Sequence, residues 1–126
     1  MSAINWFELP ATNFDRAVAF YETVLGQPMR REDFGDDQNA IFPYEEGKGI
    51  GGAITNAKYT QPSANGAVVY LNTRSADNLD QVLGRVETAG GKVVMPKTDI
   101  GPVGFIAMII DTEGNRVGLH ADHAEA

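Results

Sequence analysis

Glu8 and His120 are the two side chains whose chemistry stands out. Glu8 follows Trp6 by two residues in the run Ile-Asn-Trp-Phe-Glu-Leu at 4–9. Those β-branched and aromatic residues read as a short strand stopped by Pro10. Alternation along a strand puts Trp6 and Glu8 on one face and Phe7 and Leu9 on the other. A carboxylate in a partly apolar cup beside an indole would be desolvated, and its raised pKa would suit general-base work or cation binding. The alternative is a carboxylate solvated at a strand edge. His120 offers an imidazole that titrates near neutral pH, suited to proton transfer or to anchoring a polar group. Its alternative is a hydrogen-bonded histidine near a strand end. Trp6 and Tyr70 can stack on a flat substrate as walls of the same cup, or they can belong to the core. Phe42, Tyr44 and Phe105 read as core or cup lining.

Much other chemistry is excluded. The 126 residues include no cysteine, which removes disulfides, thiolate zinc sites, iron–sulfur clusters and a cysteine nucleophile. With 10 Lys+Arg against 17 Asp+Glu the net charge is −7, which opposes binding to nucleic acid or anionic membranes. No window approaches the roughly 18 apolar residues of a membrane span. The N-terminal stretch has no basic segment, and Asn5 and Glu8 interrupt its apolar run, so no secretory signal is expected. The composition, 43% hydrophobic and 21% charged, is that of a globular protein, here expected to be cytoplasmic. Neither a Gly-x-Ser-x-Gly elbow nor a dinucleotide fingerprint occurs. Gly-Ile-Gly-Gly-Ala at 49–53 lacks the Gly-Lys-Ser/Thr ending of a phosphate loop, so close backbone approach or a bulge is the expected reason for it. The acidic run 32–37 reads as a solvated turn.

The elements that must position these residues follow from periodicity. Phe14, Ala17, Val18, Tyr21, Val24 and Leu25 recur at helical spacing, which predicts a helix over 13–25. Asn13 is its N-cap, and Gly26 with Pro28 ends it. Short strands are expected at 28–32, 39–44 and 50–55, followed by a polar connector at 57–65. A strand at 67–72 then precedes a second helix, with Leu79, Val82, Leu83 and Val86 on one face, Asn78 as cap and Gln81 at the capping-box position. Gly84 inside it predicts a tight packing contact. Gly90-Gly91 ends this helix, and strands are expected at 92–95, 104–110 and 116–120, with Asp111–Asn115 as the last hairpin.

The two rounds repeat. Asn13-Phe14-Asp15-Arg16-Ala17 returns in type as Asn78-Leu79-Asp80-Gln81-Val82, with residues 73–77 read as an insertion. Each helix follows one strand and precedes three. The pattern predicts one α+β domain of two βαβββ modules, about 1–56 and 66–122, whose sheets leave a concave side for a ligand.

On these residues the chain resembles a known family. Residues 6–26 (Trp-Phe-Glu-Leu-Pro through Val-Leu-Gly) are similar to the opening module of the glyoxalase/bleomycin-resistance/dioxygenase group, the vicinal oxygen chelate superfamily. Residues 86–93 resemble the end of its second helix and the next strand, and 111–120 its closing hairpin. The resemblance implies a small-molecule cup and, commonly, a homodimer. Its metal-dependent members carry His, Glu or Gln at one inward position on each of four strands. Here those positions fall on Trp6, on Gly, Ile, Ala and Thr within 49–55, on Val68 (or Ala67), and on Gly118. The expectation is therefore no metal and no cofactor, with a displaced divalent-metal site on Glu8 and His120 as the alternative. A metal-dependent lyase, isomerase or dioxygenase is the less expected activity. The favoured reading is an enzyme acting on a small metabolite, with Glu8 and His120 catalytic and Trp6 and Tyr70 binding the ligand. The competing reading is a drug- or metabolite-sequestering protein of bleomycin-resistance type, for which the acidic charge would suit a cationic ligand.

Overall fold

The predicted helical stripe becomes helix α1 (Phe14–Leu25) in the computed structural model, which describes residues 2–123. Asn13 Oδ1 accepts the Arg16 N–H at 3.1 Å, and Gly26, at φ +71°, ends the helix by donating its N–H to the Glu22 carbonyl. A left-handed residue is needed there, and glycine adopts it without the Cβ clash. Strand β1 (Trp6–Pro10) precedes this helix, and β2 (Arg30–Arg31), β3 (Asn39–Ile41) and β4 (Gly51–Thr55) follow it. They form a sheet in the order β1-β4-β3-β2, with β1 parallel to β4. The third strand is shorter than its apolar run because Pro43 has no N–H to extend the ladder.

The second module repeats this order. Strand β5 (Val69–Arg74), helix α2 (Ala76–Val86), β6 (Lys92–Asp99), β7 (Phe105–Ile110) and β8 (Arg116–Ala121) give a sheet β5-β8-β7-β6, with β5 parallel to β8. The cap of α2 corrects the sequence reading. Ser75, not Asn78, is the N-cap, and its Oγ accepts the Asn78 N–H at 3.1 Å. Asn78 instead lies in the first turn and sends its side-chain NH2 back to the Thr73 carbonyl at 2.9 Å. Residues 73–77 are thus no insertion: they finish β5, supply the cap and open α2. Gly84 has open space where its Cβ would be, so the expected tight contact is absent. Strand β6 continues through Pro96 to Asp99, because it is an edge strand and Pro96 falls where its register with β7 shifts between Met95 and Thr98, so no ladder bond is asked of it.

Both helices pack into one continuous core. Val18, Tyr21 and Val24 of α1 and Leu79, Val82 and Val86 of α2 meet Leu9, Ile54, Leu71, Ile109, Val117 and Leu119 from the two sheets. Phe20 turns toward the second module, where a Cβ on Gly91 would lie 2.6 Å from its ring. Arg85 of α2 donates to the Val24 carbonyl at 3.1 Å, which places a cation at the negative end of the α1 dipole.

The hairpin between β7 and β8 ties the modules together. Tyr21 Oη donates to Asp111 Oδ2 at 2.6 Å, and Asp111 also accepts the N–H groups of Glu113 and Asn115 at 2.9 Å. Asn115 Nδ2 donates to Asp111 and, at 2.8 Å, to the Pro10 carbonyl at the end of β1. Burial, and then the Asp111 charge, hold the Tyr21 hydroxyl well above its ordinary pKa, so it remains a donor. Arg16 grips Glu113 through Nε at 2.7 Å and Nη2 at 3.1 Å. Burial of Glu113 works to raise its pKa, but hydrogen bonds from Arg16, the Asn13 N–H and Thr112 outweigh it and hold the carboxyl below its usual range. The same contact raises the Arg16 guanidinium. Among the described residues no buried side-chain nitrogen or oxygen lacks a partner.

Candidate functional site

Among the described residues β1 pairs with β4 alone and β5 with β8 alone, so each leaves one edge unpaired. A cleft of about 1310 Å³ lies along these two edges. Trp6 and Phe7 of β1, Tyr44 from the loop after β3, and Tyr70 of β5 contribute aromatic rings to its lining. Trp6 is 39% and Tyr70 47% exposed, so both present large apolar surfaces to it. Their placement follows from alternation. Leu9 pairs with Ile54 and Leu71 with Leu119 on the core faces, which leaves Trp6 and Glu8, and Tyr70 and Asn72, on the opposite faces.

The glycines of β4 and β8 have a common purpose. A Cβ on Gly51 would lie 2.7 Å from the Tyr44 ring, and one on Gly52 would collide with Phe7 on the other face of the strand. Close approach of rings, not a bulge, explains the Gly-Gly pair, since β1 and β4 pair in unbroken register. Gly118 faces Tyr70 across β5–β8, and a Cβ there would collide with the Tyr70 ring. One position that the family resemblance assigns to a metal ligand is therefore bare backbone roofed by tyrosine.

Glu8 pairs in register with Ala53, is exposed in the single chain, and makes no hydrogen bond or ion pair among the described residues. His120 stands on β8 between Asn72 and Ile106, and its Nε2–H donates to the Val103 carbonyl at 2.6 Å. The two lie on different sheets, no hydrogen bond joins them, and neither is among the residues that line the cleft. Trp6 and Tyr70 are brought to one cleft. His123 donates in the same way to the Gly101 carbonyl at 2.6 Å and packs edge-on to Phe105, so it is tied to the 101–103 turn.

Polar groups that sequence reasoning passed over also line the cleft. Arg74 and Asn72 at the end of β5 are among its lining residues, as are Lys48 and Glu45, paired at 3.3 Å. Arg74 has φ +70°, the one non-glycine residue with positive φ among those described, and β5 is irregular against β8 between Asn72 and Arg74. Nothing in the sequence marks an arginine for a left-handed conformation.

The donor set does not fit a divalent metal held by this chain. Trp6, Val68 and Gly118 offer no ligand atom, and among the described residues no three His, Asp or Glu side chains come together. No helix among the described residues is long and apolar enough to cross a membrane.

Comparison with known proteins agrees with this geometry. The profile of the Glyoxalase/Bleomycin resistance protein/Dioxygenase superfamily matches residues 3–119. "Putative glyoxylase CFP32" of Mycobacterium tuberculosis and of Mycobacterium bovis is 33% identical over 124 residues, which are 91% of this chain. The match spans 44% of the length of those curated relatives. Among solved structures, a glyoxalase/bleomycin resistance protein from Albidiferax ferrireducens superposes with a TM-score of 0.74 at 16% identity, covering 98% of this chain and 100% of the other. The fosfomycin resistance protein FosX of Listeria monocytogenes superposes at 0.66 with 14% identity, covering 100% and 95%. Paired βαβββ modules, parallel contacts of β1 with β4 and of β5 with β8, and a profile match over nearly the whole chain lead to one assignment: this chain belongs to the glyoxalase/bleomycin resistance protein/dioxygenase superfamily.

Proposed function

We propose that the protein is a metal-independent, glyoxalase-related enzyme that takes a small organic metabolite into the cleft between β1 and β5. The observation that carries this reading is the cleft itself, walled by the half-exposed rings of Trp6 and Tyr70. A concave site with aromatic walls and a few polar groups is the usual form of a small-molecule pocket. In this reading Glu8 is the base or polarising group and His120 the proton partner; since neither lines the cleft of the single chain, the reading requires association of two copies to bring them to the bound metabolite. We propose further that two copies associate beside β1 and β5, each closing the mouth of the other's cleft, because the exposed edges of these strands and the apolar Ile4 and Val68 just before them are natural contact surfaces. Association would cover Glu8 and give its carboxylate the apolar surroundings that general-base work requires.

A second reading, a binder that does not turn its ligand over, is favoured by one observation: the His120 Nε2–H is already committed to the Val103 carbonyl. Two measurements separate the possibilities. Chelator-stripped protein is titrated with Mn, Fe(II), Co, Ni and Zn in a thermal-shift assay, alongside elemental analysis of protein as purified. A stoichiometric metal with a saturable rise in Tm overturns metal independence. A metabolite screen read through Trp6, the one tryptophan of the chain, then identifies ligands. Loss of turnover with retained binding in Glu8→Gln supports the enzyme, whereas recovery of unchanged ligand from a tight complex supports the binder.

A further inference from the structure

The cleft does not share the charge of the protein around it. The chain carries 17 acidic residues against 10 Lys+Arg, yet among the described residues Glu45 is the one acidic residue that lines the cleft, together with two cations, Lys48 and Arg74. Lys48 is neutralised by Glu45 at 3.3 Å. Arg74 has no carboxylate within ion-pair distance among the described residues. One uncompensated positive charge therefore faces the cleft of a protein that is strongly negative overall.

The local backbone fixes where that charge begins. Thr73 is the extra residue where β5 loses register with β8, and its Oγ1 is held by the His120 carbonyl at 2.9 Å. Arg74 then takes a left-handed conformation that L side chains rarely adopt, and its N–H is held by Asn72 Oδ1 at 2.8 Å. Irregularities of this kind re-aim a side chain at the end of a strand. Because the Asn72 amide oxygen is occupied, its NH2 is the group left for a ligand, and among the described residues it donates to no protein atom. An arginine and an amide donor two residues apart, joined through the Arg74 N–H, thus line the cleft together with Tyr70.

We infer that the cleft selects a small organic acid, with Arg74 and Asn72 binding its carboxylate and Tyr70 and Trp6 covering its apolar body. The guanidinium fork matches a planar carboxylate with two parallel hydrogen bonds. A single uncompensated cation balances a monoanion, whereas a phosphate dianion would add negative charge to an already negative protein. Tyr70 and Arg74 start about 13 Å apart along the strand, and the long arginine side chain can shorten that span. An acid with a ring a few carbons from its carboxylate bridges it. This inference rests on the cleft being the ligand site.

The test uses a matched pair of probes, 4-phenylbutanoate and its neutral amide, titrated against the intact protein with Trp6 emission and ligand-observed NMR as readouts. The expected result is that the acid binds at least about tenfold tighter than the amide. Arg74→Gly, which relieves the left-handed conformation and so protects folding, should bring the two affinities together. Arg74→Lys should keep much of the preference, and about 1 M salt should erode it. Equal affinities in the wild type, or a preference that survives Arg74→Gly, would overturn the carboxylate assignment and leave the cleft as a ligand site. Absence of binding by both probes overturns the assignment too, and the metabolite screen through Trp6 then decides independently whether the cleft binds anything.

Discussion

Tyr21→Phe isolates the contact that holds the two modules in register. The substitution removes one oxygen and leaves the ring, so the edge-on contacts with Phe20 at 4.9 Å and Phe42 at 5.2 Å remain. What is lost is the 2.6 Å hydrogen bond to Asp111, whose oxygen keeps only the Asn115 amide at 3.1 Å. A buried hydrogen bond to a charged acceptor is worth about 1.5–3 kcal/mol, so a loss of about 2 kcal/mol is expected at neutral pH. With a urea m-value of about 1–3 kcal/mol/M, the unfolding midpoint should fall by roughly 1 M at unchanged slope. Alkaline pH supplies an internal control. The folded pKa of Tyr21 is raised above the ordinary 10.0, so its stabilising contribution is complete below pH 10.0 and is lost as pH rises toward the folded value. The phenylalanine variant has no such group, and its deficit should narrow above pH 10. A midpoint unchanged at neutral pH, or a deficit independent of alkaline pH, would refute the claim that this hydroxyl satisfies Asp111.

Three further outcomes follow from the same geometry. Glu113 has a folded pKa below its ordinary 4.5, so its contribution is present above pH 4.5 and disappears as pH falls through the folded value. Glu113→Gln should therefore cost stability at neutral pH, and the cost should shrink as pH falls below 4.5 and vanish below the folded value, as urea titrations in acid would record. Gly118→Ala should lose about 1 kcal/mol by overpacking against Tyr70, and nothing in a Tyr70→Ala background, a non-additivity that a double-mutant cycle measures. Gly26→Ala places a Cβ in a left-handed residue and 3.1 Å from Arg85, and should cost about 1–2 kcal/mol in thermal or urea unfolding.

How legible each element is in the sequence depends on whether its signals are local. For α1 the cap, the apolar stripe and the left-handed glycine mark the same boundaries, so its limits can be read directly. For α2 two good cap residues, Ser75 and Asn78, lie three apart, and local chemistry does not choose between them. The choice is tertiary: β5 runs on to Arg74 because Thr73 is bonded to the His120 carbonyl, which leaves Ser75 as the first residue free to cap. Pro96 shows the same dependence, since a proline ends a central strand but not an edge strand. The pairing of Gly51, Gly52 and Gly118 with rings is visible only as an excess of glycine, because the partners come from other strands or fold back from the β3–β4 loop.

The site divides along the same line. Period-two alternation is enough to put Trp6 and Tyr70 on the faces that border the cleft, because a strand residue's side is fixed by its neighbours' burial. Charge is different. A net charge of −7 invites the thought of a cationic ligand, but ligand selection depends on the groups within a few ångströms of the pocket, since ions screen more distant ones within about 10 Å. Among the described residues all but one of the acidic side chains stay out of the cleft lining, and several are engaged elsewhere: Asp15 with Arg31, Asp80 with Lys97, Glu113 with Arg16. The sign of the cleft is then decided by one arginine at an irregular strand end, a position that composition cannot weigh and helical or strand periodicity does not reach. In this chain the fold is written as repeated pattern, whereas ligand preference rests on a single break in that pattern at Arg74.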